Sequence, residues 1–100
     1  MNYKVVISDS AKKDIKESAQ WYNKQQSGLG RRFVKSIRKC ISVVRVHPES
    51  FQIRYKDNRV AIPEVFPFLI VYILNKRDKT IRIIAVFHTS QNPNKLKERE

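Results

Sequence analysis

Four residues have types and spacing that could do chemistry. Arg54, Lys56 and Arg59 crowd one short stretch, and His88 ends an apolar run in "VFHTSQNP" at residues 86–93. Cleaving an RNA phosphodiester needs a base for the 2′-hydroxyl, cations for the charged phosphorane and an acid for the leaving oxygen. Arginine and lysine can supply the charge and histidine the proton transfers. Each residue also has a plainer reading. Basic side chains are by default solvated surface, and a strand-end histidine can turn its ring to the backbone.

Other chemistries find no footing. The sequence has no glycine-rich phosphate loop or Walker pattern. The two histidines, His47 and His88, are far apart, and the single cysteine, Cys40, sits in an apolar helical stripe, so neither a metal site nor a cofactor is expected. Ser90 is near His88, but no glycine elbow presents a serine as nucleophile. His47 precedes Pro48 at a helix end, where it is a favourable terminal charge or a bystander.

Charge is the strongest compositional signal. Lysine and arginine number 21 against 9 acids, giving +12 on 100 residues. The first fifty residues carry 11 basic and 4 acidic groups and the rest 10 and 5, so the excess lies on a folded surface rather than a tail. Such a surface suits RNA, DNA, a ribosome or an acidic protein, or serves solubility alone. The size fits one domain over 1–100. The lone cysteine fits a reducing compartment, and no stretch approaches a membrane span or a signal peptide; a cytoplasmic, membrane-free protein is expected.

The elements that must position these residues follow from periodicity. Tyr3–Ile7 is a strand, and Ser8 or Asp9 caps a helix carrying Ala11, Ile15, Ser18, Ala19 and Tyr22 on one face. "QQSGLG" ends it, and a second helix runs from Leu29 to Val46. Its apolar face is Leu29, Phe33, Val34, Ile37, Cys40, Ile41 and Val44. The opposite face is Arg31, Arg32, Lys35, Arg38, Lys39 and Arg45, with no acid between Gly28 and Pro48. Trp21 and Tyr22 are expected to complete the helix–sheet core, with an interface role as the alternative. "IRYK", a "DN" turn and "RVAI" give short strand material around Arg59–Ile62, then come long strands at Phe68–Leu74 and Ile81–His88, with "NPNKLKERE" as a short terminal helix. The order is β-α-α-β-β-β: an α+β fold with an antiparallel helical hairpin on a small twisted antiparallel sheet.

"FLIVYIL" is apolar on both faces, and one helical hairpin can cover only one of them. A chain segment, a partner or a second copy in a homodimer should cover the other. The expected partner surface is Phe68, Ile70 and Tyr72 with Arg82, Ile84 and Val86. Strict alternation puts Arg82, Ile84, Val86 and His88 on one face, with Arg82 about 20 Å from His88.

Four stretches, "SDSAKKDI", "WYNKQQSGLGRRF", "HPESFQIRYKDNRVAIPEVFPFLIVY" and "IRIIAVFHTSQNP", in this order resemble the RelE/ParE superfamily of bacterial type II toxins. The resemblance spans nearly the whole chain. It implies a toxin held by a cognate acidic antitoxin, with operator DNA reached only through the antitoxin. RelE-like members cleave mRNA on the ribosome, whereas ParE-like members poison DNA gyrase. This chain has Leu69 and Gln91 where nuclease members carry arginine, while His88 matches the histidine of the turn in both branches. Losing one such donor costs ~10²–10³ in rate, which favours the ParE-like reading.

Overall fold

The computed structural model describes residues 3–99. Its elements run β1 (Lys4–Ile7), α1 (Asp9–Gln25), α2 (Leu29–Val46), a 3-10 turn at Pro48–Ser50, β2 (Gln52–Ile53), β3 (Arg59–Ala61), β4 (Phe68–Asn75), β5 (Thr80–His88) and a 3-10 helix at Pro93–Glu98.

Local chemistry explains the helix ends. The Ser8 hydroxyl accepts the Ala11 N–H at 3.1 Å, filling one of the free donors of the first turn of α1. Gly28 adopts φ +86° ahead of α2, a conformation that would strain a residue with a Cβ. Gly30 is needed for a different reason. A Cβ there would sit 2.3 Å from the Ala19 carbonyl oxygen, and the Gly30 N–H donates to Asn23 Oδ1 at 2.7 Å. The two helices therefore meet backbone to side chain at their hairpin end.

The five strands form one sheet in the order β1-β5-β4-β3-β2. Three pairings are antiparallel, but β1 joins β5 in parallel, so the sheet is mixed rather than wholly antiparallel. Periodicity fixes which side chains share a face and says nothing of strand direction. That is why the edge pairing was not legible. The short strand material on either side of the "DN" turn forms β2 and β3, which pair antiparallel across a hairpin in which Tyr55 and Lys56 have φ of 52° and 71°.

Both faces of the sheet are covered. Phe68, Ile70, Tyr72, Ile81, Ile83 and Val86 pack beneath the helices against Ala11, Phe33, Ile37 and Val44. On the other face Val60, Leu69, Val71, Ile84, Ala85 and Phe87 form a second core, closed by Leu96 of the terminal 3-10 helix, which is 2% exposed. The segment expected to cover this face thus belongs to the chain itself.

One irregularity decides where His88 points. Val71 pairs with Ala85 while Tyr72 pairs with Ile83, so Ile84 is an extra residue and β5 carries a bulge. Ile84 and Ala85 both join the second core, and the alternation beyond them is reversed. Val86 and His88 therefore lie on the helix face, opposite Arg82, rather than beside it as strict alternation predicts.

Candidate functional site

The bulge aims the end of β5 at α1, and a groove of about 560 Å³ opens between them. Asp14, Glu17, Ser18, Trp21 and Tyr22 line it from α1; Phe68, Val86, His88, Ser90 and Gln91 line it from the sheet and the following turn. Its floor is aromatic. Phe68 meets the His88 ring edge-on at 5.4 Å, and Tyr22 lies 5.1 Å from Phe66, with burial raising the Tyr22 hydroxyl above its usual pKa. Trp21 is 58% exposed at the rim and touches Tyr22 edge-on at 5.1 Å. Of the Trp21–Tyr22 pair, only Tyr22 packs on the core; Trp21 is one helical step out of phase and stands in solvent.

His88 is held by its own turn. Its Nδ1 accepts the Ser90 N–H at 3.0 Å and lies 2.8 Å from the Ser90 hydroxyl. An Nδ1 that accepts leaves Nε2 to carry the ring hydrogen. The His88 N–H donates to Gln91 Oε1 at 2.7 Å, so Gln91 ties the turn shut.

The other basic candidates are elsewhere. Arg59 faces Tyr72 across β3–β4, whereas His88 faces Phe68 across β4–β5. Four residues along β4 and two strand spacings separate the Cα atoms of Arg59 and His88 by about 16 Å. The Arg59 guanidinium is occupied: Nη1 donates to the Phe51 carbonyl at 2.8 Å and the Glu49 carbonyl at 3.2 Å. Tyr72 reinforces that anchor, its hydroxyl donating to the Pro48 carbonyl at 2.7 Å. Burial pushes Tyr72 up to about 12, with Arg59 opposing and Cys40 adding to the rise. Arg54 and Lys56 are exposed on the β2–β3 hairpin, where the Arg54 N–H donates to the Asn58 carbonyl at 2.6 Å. The structure does not bring Arg54, Lys56, Arg59 and His88 to one point.

The six residues expected as a partner surface are divided as well. Phe68, Ile70, Tyr72 and Val86 are buried beneath the chain's own helices. Ile84 lies in the second core, and Arg82 is exposed on that side of β5. Leu69, the residue standing where an arginine was in question, is 5% exposed in the second core and faces away from His88. Sequence reasoning missed the α1 wall of the groove. Asp14, Ser18 and Tyr22 recur at helical spacing; Ser18 and Tyr22 fall on the face expected to pack, while Asp14 carries no separate signal in the sequence.

Cys40 is no nucleophile at neutral pH. Burial, with Glu64 adding to it, pushes its thiol up to about 11, so the reactive thiolate is scarce.

The profile of the family described as the ParE toxin of the type II toxin–antitoxin system parDE matches residues 5–93. The chain belongs to this ParE toxin family. No curated protein matches its sequence. Among solved structures, the chromosomal ParDE toxin–antitoxin system from P. aeruginosa superposes with a TM-score of 0.75 at 14% identity, covering 86% of this chain and 95% of that one. The toxin–antitoxin complex RelBE2 from Mycobacterium tuberculosis gives 0.63 at 14% identity over 88% and 99% of the two chains. The archaeal RelE–RelB complex from Pyrococcus horikoshii OT3 gives 0.55 at 18% identity over 92% and 100%. At these identities the likeness is one of fold. The ParE-family toxin and its RelE-like neighbours share the helical hairpin on a small sheet, and branch assignment rests on the family match.

Proposed function

We propose that this toxin arrests growth by binding a large target, DNA gyrase, rather than by cutting RNA, and that a cognate antitoxin neutralises it. The observation that carries this reading is the lining of the His88 groove. Among the described residues it offers a histidine, two carboxylates and aromatic rings, and no lysine or arginine. A phosphorane forming there would meet Glu17 and an Asp14 already paired with Arg99, with no cation in the lining to take up its charge. Arg59, about 16 Å away, is already committed to backbone carbonyls. Aromatic walls and an exposed tryptophan instead suit a protein partner, since Trp and Tyr are enriched among residues that dominate interface energy.

Brief induction followed by mapping of RNA ends, together with a supercoiling assay on purified gyrase, tests the reading. Growth arrest, intact mRNA and inhibited gyrase are expected. Codon-specific mRNA cuts that vanish in His88→Ala would overturn it in favour of a ribosome-dependent nuclease. Induction without arrest, in a chain shown to persist, would leave only a basic nucleic-acid-binding module. A short acidic protein encoded in the adjacent reading frame is the expected antitoxin, and its co-expression should restore growth.

A further inference from the structure

The outer face of α2 carries an ordered row of cations that the groove does not use. Arg31, Lys35, Arg38, Ser42 and Arg45 stand at i, i+4, i+7, i+11 and i+14, which places them on one line along the helix, and all are exposed. Arg31, Arg38 and Arg45 are spaced about 10.5 Å apart. Arg45 is steadied by its Nε donating to the Tyr3 carbonyl at 3.1 Å, while Arg31, Lys35 and Arg38 have no acidic partner among the described residues. Lys39, on the flank of the row, pairs with Glu64 at 3.6 Å. On α1, Lys12 and Lys16 continue the helical row of Ala19 and Asn23, the two residues that meet Gly30 at the helix seam. They border the same outer surface, which is therefore two helices wide.

We infer that this plate is a docking surface for the phosphate backbone of B-form duplex DNA. Three features decide the occupant. The row contains no apolar residue, whereas the core of a protein–protein interface is depleted in charge and built on aromatic and aliphatic anchors. It contains no aromatic residue either, so it offers unstacked bases no platform and does not suit a single strand. Its arginine spacing, about 10.5 Å, is close to the ≈ 12 Å width of the B-DNA major groove, so neighbouring arginines can reach opposite phosphate rims. In A-form RNA the deep major groove is too narrow for that spacing and only the wide, shallow minor groove can match it, so an RNA duplex is the competitor that tests the choice. Arginine's planar fork also matches phosphate oxygens in pairs. DNA would then be touched by the toxin itself, and not through an antitoxin alone.

The test is fluorescence anisotropy of a short labelled mixed-sequence DNA duplex with the purified chain, across salt. Removing three phosphate contacts in the triple variant Arg31→Gln, Lys35→Gln, Arg38→Gln should lower the log–log salt slope by about 2–3. The control triple Arg54→Gln, Arg77→Gln, Arg82→Gln removes the same charge from exposed positions off both helices and should lower it by less than about 1. All six side chains are exposed, and unchanged thermal unfolding confirms that both variants fold. Equal losses in the two triples would mean a diffuse basic surface and overturn the site. An A-form RNA duplex that binds as tightly, or polyglutamate that competes as well at equal charge, would overturn the choice of DNA. This assay reads nothing of growth arrest, so the surface and the toxin reading can fail separately.

Discussion

Asp14 on α1 and Arg99 at the far end of the chain, 85 positions apart in sequence, close the free edge of β5 together. Arg99 Nη1 lies 2.5 Å from Asp14 Oδ2 and Nη2 lies 3.1 Å from Oδ1. Asp14 Oδ2 also accepts the Val86 N–H at 3.0 Å, and Arg99 Nη1 donates to the Ile84 carbonyl at 3.2 Å. β1 pairs with β5 only as far as Ile83, so the backbone groups beyond it would otherwise face an open edge. The pair thus replaces a missing strand and pins both the bulge and the α1 wall of the groove. Its side chains are 20% and 11% exposed, so little solvent competes for it. Asp14→Ala takes the carboxylate away from both the Arg99 guanidinium and the Val86 N–H, and should cost about 2–3 kcal/mol of stability. In a urea-denaturation cycle with Arg99→Ala, the double variant should lose less than the sum of the singles. Additive losses would show that the two groups act separately.

Gly30 permits the close approach of α2 to α1. Gly30→Ala would push aside the exposed Asn23 side chain and drive its Cβ against the Ala19 carbonyl, which is backbone and cannot retreat without parting the hairpin. A loss of about 3 kcal/mol is expected in thermal unfolding. A variant within 0.5 kcal/mol of wild type would mean that the helices pack farther apart.

Val65 sits at φ +76°, although it is β-branched and 88% exposed. The Phe66 N–H donates to the Glu64 carbonyl at 2.9 Å, closing a three-residue turn of the rarer, strained hand around it. No packing compensates the strain, because the side chain touches little. Val65→Gly should therefore raise stability by about 1 kcal/mol, the relief of strain exceeding glycine's added chain entropy. An unchanged or lowered melting temperature would count against the strain.

Tyr72 and Cys40 make the fold sensitive to alkali. Burial raises the folded pKa of Tyr72 to about 12 and of Cys40 to about 11, above the 10.0 and 9.0 of the unfolded chain. Once the unfolded chain has lost these protons, the folded state binds more of them, and stability falls as pH rises. The contribution is whole below pH 9, declines for Cys40 between 9 and 11, and for Tyr72 between 10 and 12. Tyr72→Phe removes the bond to the Pro48 carbonyl and should cost about 1 kcal/mol at neutral pH, yet lose less further stability between pH 10 and 12. Parallel wild-type and variant pH profiles would rule Tyr72 out as a source of the alkaline loss.

Much of the scaffold could be read from the chain, because each legible element had contrast. α2 matches its span, Leu29–Val46, since basic and apolar residues alternate at helical period. The start of α1 was legible as Ser8 or Asp9 because both side chains can accept from a first-turn N–H, and Ser8 is the one that does. The site was less legible for the opposite reason. In "IRIIAVFH" apolar residues follow one another, so the bulge at Ile84 leaves no break in the pattern, although it reverses His88 relative to Arg82. Leu96 is a single apolar residue in a polar tail, too little for periodicity to register, yet it seals the second core. Arg59 looked like chemistry, but its partners are carbonyls at Glu49 and Phe51, and backbone acceptors have no signature in side-chain type. Asp14 and Arg99 are far too distant in sequence for spacing to join them.

Trp21 gives the sharpest test of the groove, because its contribution to the fold and to binding can be separated. At 58% exposed it meets Tyr22 edge-on and lies outside the core, so Trp21→Ala should cost only about 1 kcal/mol of stability. An interface that buries this indole would lose one of its largest anchors, and truncation of such a residue typically costs 2 kcal/mol or more. On the proposed function, the affinity of the purified toxin for gyrase should accordingly fall at least ~30-fold. His88→Ala should weaken binding as well, since it removes the ring that packs on Phe68 and frees the 88–91 turn on the opposite wall. If Trp21→Ala binds and arrests growth as wild type does, the groove between α1 and β5 is not the contact, however well its walls suit one.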